Sequence, residues 1–191
     1  MRMSTITVFC GSTPGTKPIY RESALALASA MTAQGIDLVY GGGNRGLMGM
    51  LADALKKSGR NVTGVLPKAM DIPQVRTKDV ESQLVIVDDM HSRKEMMYRL
   101  GDGFIALPGG IGTLEELMEI YTWQELGYHR KPIGILNPGG YYDLLLAFLD
   151  HASCEGFLRK EYIDALLVDT DPLRLIGKME AADISLPDKL S

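Results

Sequence analysis

The sequence predicts a Rossmann-like α/β fold, a doubly wound parallel sheet with helices on both faces. Three observations predict it. Short apolar runs alternate along the chain with segments of helical spacing. The runs are near-continuously apolar, without the polar alternation of a half-solvated sheet, so both faces of the sheet are covered. Three of the runs stop at glycine-rich turns, at 11–15, 41–46 and 109–112. With 191 residues, and domains running to ~150, the chain is expected to form one domain over 1–191, with no internal repeat or linker.

Ile6 to Cys10 is the first expected strand, ended by Gly11-Ser12-Thr13-Pro14-Gly15. Leu25, Ala28 and Met31 share one face, which predicts a helix over Ile19 to Gln34. Ile36 to Tyr40 is a second strand, stopped by Gly41, Gly42 and Gly43. Leu47 to Lys57 reads as a helix closed by Ser58-Gly59, and Val62 to Leu66 as a third strand ended by Pro67. Residues 68–82 are polar and mixed, with no clear period. Leu84 to Val87 is a fourth strand, Ser92 to Leu100 a helix, and Phe104 to Leu107 a fifth strand. Leu114 to Leu126 and Tyr141 to Ala152 read as helices on either side of a strand at Ile133 to Leu136. Arg159 to Leu166 and Pro172 to Met179 read as helices around a short apolar Leu167-Val168. The tail, 180–191, is expected to fray or to dock at a dimer interface.

Composition excludes several classes. No stretch reaches the ~18 apolar residues of a membrane span, and the apolar run after Met1-Arg2-Met3-Ser4 is too short for a signal peptide core. Cys10 and Cys154 have no metal spacing and make no disulfide framework; His91, His129 and His151 have no metal spacing either. The formal charge of −4 and the pI near 5.4 argue against nucleic acid as a partner. A cytoplasmic protein without a bound metal is expected.

Glycine is the outlier of the composition, with 21 residues. In doubly wound folds ligands bind beyond the carboxyl ends of the strands, so the three glycine turns predict one site. In Pro108-Gly109-Gly110-Ile111-Gly112-Thr113-Leu114-Glu115-Glu116 a strand enters a glycine turn and a helix follows. Successive backbone N–H groups and a helix N-terminus suit a phosphate. Thr113-x-x-Glu116 also reads as a capping box, the structural use of the same residues. Gly41-Gly42-Gly43-Asn44-Arg45-Gly46 fits the dinucleotide pattern G-x-G-x-x-G. The next strand ends Val65-Leu66-Pro67-Lys68, without the acid that would hold a ribose, so a nucleotide or sugar phosphate is favoured over a dinucleotide. Ser92-x-x-Glu95 is a second expected capping box. It puts Arg93 and Lys94 in a first helical turn, where the macrodipole disfavours cations. An anionic ligand, or the carboxylates after the third glycine turn, would compensate.

Pro108-Gly109-Gly110-x-Gly112-Thr113-x-x-Glu116 resembles the P-G-G-x-G-T-x-x-E signature of the Lonely Guy family. These are cytokinin riboside 5′-monophosphate phosphoribohydrolases, often labelled lysine decarboxylases. Val8-Phe9-Cys10-Gly11-Ser12, Tyr40-Gly41-Gly42-Gly43 with Gly46-Leu47-Met48-Gly49, and Met90-His91-Ser92-Arg93-Lys94 agree in the same order. The resemblance covers roughly residues 5–175. It implies a homodimer that hydrolyses the N-glycosidic bond of a nucleoside 5′-monophosphate, cytokinin-type or adenosine, with no cofactor. It implies Arg93 and Glu116 as the catalytic pair, and Gly109, Gly110, Ile111, Gly112 and Thr113 as the phosphate loop. Lys94 and Glu115 become candidates for ribose or phosphate contacts, and Gly11, Ser12, Gly41, Gly42 and Gly43 for substrate binding. Glycosidic cleavage builds positive charge on the sugar, which a fixed carboxylate stabilises; a carboxylate near a helix start is expected to stay ionised. A nucleotide-binding module without turnover is the alternative, and the intact Arg93 and Glu116 favour the enzyme.

Overall fold

The computed structural model describes residues 2–75 and 80–186. Seven parallel strands form one sheet: β1 (Thr5–Phe9), β2 (Asp37–Tyr40), β3 (Val62–Pro67), β4 (Gln83–Val87), β5 (Gly103–Ala106), β6 (Ile133–Leu136) and β7 (Leu166–Asp169). Their order across the sheet is β4-β3-β2-β1-β5-β6-β7. The winding reverses between β1 and β5, which pair in parallel from Ile6↔Gly103 to Phe9↔Ala106. The crevice beyond the ends of these two strands is where such a sheet binds ligands.

Helices α1 (Pro18–Gln34), α2 (Gly46–Lys57) and α7 (Pro172–Ala181) cover one face, burying Leu27, Met31, Leu51, Leu55 and Leu175. Helices α3 (Met90–Leu100), α4 (Ile111–Glu125), α5 (Asp143–Cys154) and α6 (Lys160–Asp164) cover the other, burying Met97, Leu117, Ile120, Leu149 and Tyr162. Among the described residues no helix is long and apolar enough to cross a membrane.

The structure differs from the sequence reading at the element ends. Leu167-Val168 is the middle of β7, which pairs with β6 in register Gly134↔Leu167. The helix expected from Arg159 to Leu166 shrinks to α6, because Leu166 joins the sheet. Neither expected capping box forms. Asp89 caps α3, its Oδ1 accepting from Ser92 N–H at 2.8 Å, so Arg93 and Lys94 lie in the second turn. Gly110 is the N-cap of α4 with no side-chain bond, and Glu116 sits a turn and a half inside the helix. Part of the tail packs on its own chain: Leu186 joins the second core cluster, and Arg130 Nη1 donates to its carbonyl at 3.1 Å. Residues 187–191 lie outside the described residues.

Candidate active site

The three glycine turns meet, and Gly11 is the knot. Its N–H donates to Pro108 O at 3.0 Å, and its carbonyl accepts from Leu47 N–H at 3.0 Å. A Cβ on Gly46, whose φ is +57°, would lie 2.3 Å from the Ser12 carbonyl carbon. A Cβ on Gly109 would lie 2.1 Å from Thr113 Oγ1 and 2.9 Å from the Gly11 backbone nitrogen. Backbones this close require glycine. The first and third turns bound a cavity of about 400 Å³, lined by Cys10, Gly11, Ser12, Met48, Met70, Met90, Arg93, Gly110, Ile111, Gly112, Thr113, Glu115 and Glu116. The opening turn of α4, Gly110 to Thr113, forms part of its wall, and a Cβ on Gly110 or Gly112 would meet only open space. The first N–H groups of a helix have no intrahelical acceptor, so this wall suits an anion.

Two ion pairs join α3 to α4. Arg93 Nη1 donates to Glu116 Oε1 at 2.7 Å, and both side chains are nearly buried. Arg93 Nε donates to Val65 O at 3.2 Å, and Nη1 also reaches Met90 Sδ at 3.4 Å. Lys94 Nζ donates to Glu115 and, at 2.9 Å, to Glu119. Burial raises the Glu116 carboxyl above the ordinary glutamate range, against the pull of the Arg93 guanidinium. The shift is opposite in sign to the helix-dipole effect expected from the sequence, because Glu116 lies beyond the first turn, where the dipole has faded. Burial alone would lower the Lys94 ammonium, but its bonds to Glu115 and Glu119 reverse the effect and hold it above ordinary lysine. Burial, then the charge of Glu116, pushes the Cys10 thiol up, so it stays protonated and is no nucleophile.

Of the residues expected at the site, Gly11, Ser12, Arg93, Gly110, Ile111, Gly112, Thr113, Glu115 and Glu116 line the cavity. Lys94 stands behind Glu115. Gly109 lies on the far flank of its loop, where its carbonyl accepts from the Tyr141 hydroxyl. Gly41, Gly42 and Gly43 are not in the wall. Gly41 makes room for Arg93, whose Nη2 would sit 2.1 Å from a Cβ there. Gly42 (φ +74°) packs over Leu66, and Gly43 faces Met48. Arg45 precedes α2 and is exposed. His91 opens with Trp123 onto a separate cleft between α3 and α4. His129 is buried and structural, with Ile120 O at 2.8 Å from Nε2 and Lys131 N–H donating to Nδ1.

Sequence reading missed Met70 as a cavity wall and Glu119 as the second partner of Lys94. The i, i+4 spacing of Glu115 and Glu119 on one helical face was the available signal for the latter. Among the described residues no group of three or more His, Cys, Asp or Glu side chains is placed to hold a metal ion.

A family profile described as "Possible lysine decarboxylase" matches residues 48–179. A cytokinin riboside 5′-monophosphate phosphoribohydrolase of Arabidopsis thaliana is 52% identical to this chain, over 82% of it and 72% of the relative. Another from Arabidopsis thaliana is 45% identical over 94% of this chain and 83% of its own length. One from Oryza sativa is 44% identical over 94% and 74%. Among solved structures, a molybdenum cofactor binding protein from Rippkaea orientalis superposes with a TM-score of 0.69 at 22% identity, covering 95% of this chain and 98% of that one. The molybdenum cofactor carrier protein of Chlamydomonas reinhardtii gives 0.69 at 20% identity, over 94% and 97%. At such identity the likeness shows the fold alone.

Proposed function

This chain belongs to the family of cytokinin riboside 5′-monophosphate phosphoribohydrolases, and on that premise we propose that it hydrolyses the N-glycosidic bond of a nucleoside 5′-monophosphate, releasing an adenine-type base and ribose 5-phosphate. The observation that carries this reading is the Arg93–Glu116 pair, 2.7 Å apart and nearly buried, in the wall of a cavity that also holds the opening turn of α4. The amides of Gly110 to Thr113 take the 5′-phosphate. Glu116 stabilises the oxocarbenium-like sugar and takes a proton from the attacking water, whose oxygen bonds to C1′ as the bond to the base nitrogen breaks. A carboxyl raised by burial is a stronger base than an ordinary glutamate. Arg93 holds that carboxylate and donates hydrogen bonds to the negative charge developing on the leaving base; the base then takes up a proton from solvent. Glu115, half exposed at the cavity, is assigned to the ribose hydroxyls, and Lys94 positions it.

The working unit in this proposal is a homodimer. It places the protein in the cytoplasm, where its two free cysteines, Cys10 and Cys154, stay reduced. The test is to incubate purified protein with AMP and with isopentenyladenosine 5′-monophosphate and to assay free base and ribose 5-phosphate. Release that is lost in Glu116→Gln supports hydrolysis. Tight binding without release makes the protein a nucleotide-binding module and refutes it.

A further inference from the structure

We propose that Tyr141 is a positioning residue for phosphate recognition, acting through the backbone of the glycine loop; this rests on the function proposed above. The loop has four successive carbonyls, and each is claimed. Leu107 O accepts from the Tyr142 hydroxyl at 2.7 Å, Pro108 O from Gly11 N–H at 3.0 Å, Gly109 O from the Tyr141 hydroxyl, and Gly110 O from Leu114 N–H at 3.1 Å. A trans peptide points its N–H opposite its C=O. Fixing a carbonyl on one flank therefore aims the next residue's N–H at the other flank. Tyr141 lies outside the reaction cavity, in a second hollow lined with Tyr20, Pro14 and Gly109 that meets the cavity at Gly110. Its hold on Gly109 O directs the Gly110 N–H away from Tyr141, toward the cavity where Gly110 begins the anion wall.

Tyr142 supplies the internal contrast. It clasps the Leu107–Pro108 peptide, which has no N–H to aim because its nitrogen is proline's. The two tyrosines thus make the same bond with different consequences. Both are available because α5 begins at Asp143, two residues later than its apolar spacing predicts. The turn through Gly139 and Gly140, both at positive φ, swings Tyr141 back over the loop, and its ring packs edge-on against Tyr20 with centroids 5.6 Å apart. Phenylalanine at 141 keeps that ring contact and removes only the hydroxyl.

The experiment compares wild type, Tyr141→Phe and Tyr142→Phe in binding ribose 5-phosphate and adenosine by calorimetry, alongside KM and kcat for AMP and the melting temperature. For Tyr141→Phe we expect a roughly fivefold weaker affinity for ribose 5-phosphate and a matching rise in KM, the worth of one hydrogen bond. Adenosine affinity, kcat and melting temperature should stay within about twofold or a degree of wild type. Tyr142→Phe should lower the melting temperature, because it leaves a buried carbonyl unpaired, without selective loss of the phosphate ligand. Unchanged ribose 5-phosphate affinity in Tyr141→Phe overturns the proposal, as does equal weakening of both ligands. Failure is separable from that of the proposed function, which shows instead as wild type binding no ribose 5-phosphate and releasing no base from AMP.

Discussion

Replacing Gly41 by alanine tests whether the Arg93 conformation is the working one. The φ of Gly41 is not positive, so the backbone accepts alanine without strain. Its Cβ would fall 2.1 Å from Arg93 Nη2, where contacts under 3.0 Å do not occur, so the guanidinium must retreat by about 3.0 − 2.1 = 0.9 Å. The Nε bond to Val65 O is already 3.2 Å and does not survive that shift, and the 2.7 Å pair with Glu116 loosens. Displacing a reacting group by ~1 Å costs on the order of 10²-fold in rate, or ~2.7 kcal/mol of transition-state stabilisation. Stability is expected to hold. The clash is with the end of a flexible side chain, and alanine stiffens the unfolded chain by about 0.4–1 kcal/mol in compensation. The assay is base release from AMP, with the melting temperature measured in parallel. Activity within about threefold of wild type refutes the reasoning, since Arg93 would then work from some other position. A lost rate with a collapsed melting temperature refutes it too.

Further outcomes are expected. Gly46→Ala should do the reverse of Gly41→Ala: its φ of +57° and a Cβ 2.3 Å from the Ser12 backbone cannot be relieved by a side chain. Left-handed strain and overpacking together cost about 3 kcal/mol, or ~6–12 °C in melting temperature for a chain this size. The acid limb of kcat/KM should lie above the ordinary glutamate value of 4.5, because burial raises Glu116 and activity needs it ionised. For stability the sign follows the same shift. Glu116's contribution is full below 4.5 and is lost as pH rises through its folded pKa, so the melting temperature of wild type relative to Glu116→Gln should fall as pH rises above 4.5. Glu115→Gln should raise KM about tenfold while keeping base release, and Glu116→Gln should abolish release; the opposite result exchanges the two roles.

The fold and the position of the site were legible because glycine speaks directly about backbone. Gly11, Gly46 and Gly109 stand where three loops touch, and their clustering after strands was enough to predict convergence. What the chain does not announce is which of two chemically equivalent choices it makes. Asp89 and Ser92 are both good N-caps three residues apart, and the helix uses the earlier one, with Ser92 N–H as its donor. β7 was hidden because its four residues, Leu166 to Asp169, follow a helix whose apolar spacing runs into them. The work of Gly41 is a long-range contact with Arg93, 52 positions on, and leaves no local pattern. The Tyr141 contact with Gly109 is hidden for the same reason.

The local charges matter most for how an anion is held. The sequence offered Arg93 and Lys94 two partners, an anionic ligand or the carboxylates after the third glycine turn. The structure takes the second: Arg93 is paired with Glu116, Lys94 with Glu115 and Glu119, and Arg45 is exposed and outside the cavity wall. Two cations against three carboxylates leave the cluster at 2 − 3 = −1. Among the described residues, the proposed attraction for a 5′-phosphate then rests on the amide dipoles of Gly110 to Thr113. Dipoles at contact distance are screened little by salt, whereas attraction between separated charges falls steeply. Raising sodium chloride from about 50 to 500 mM should therefore change KM for AMP by less than about threefold. A rise of tenfold or more would mean that unpaired cations, not backbone amides, hold the phosphate, and that the ion pairs described between α3 and α4 open when substrate arrives.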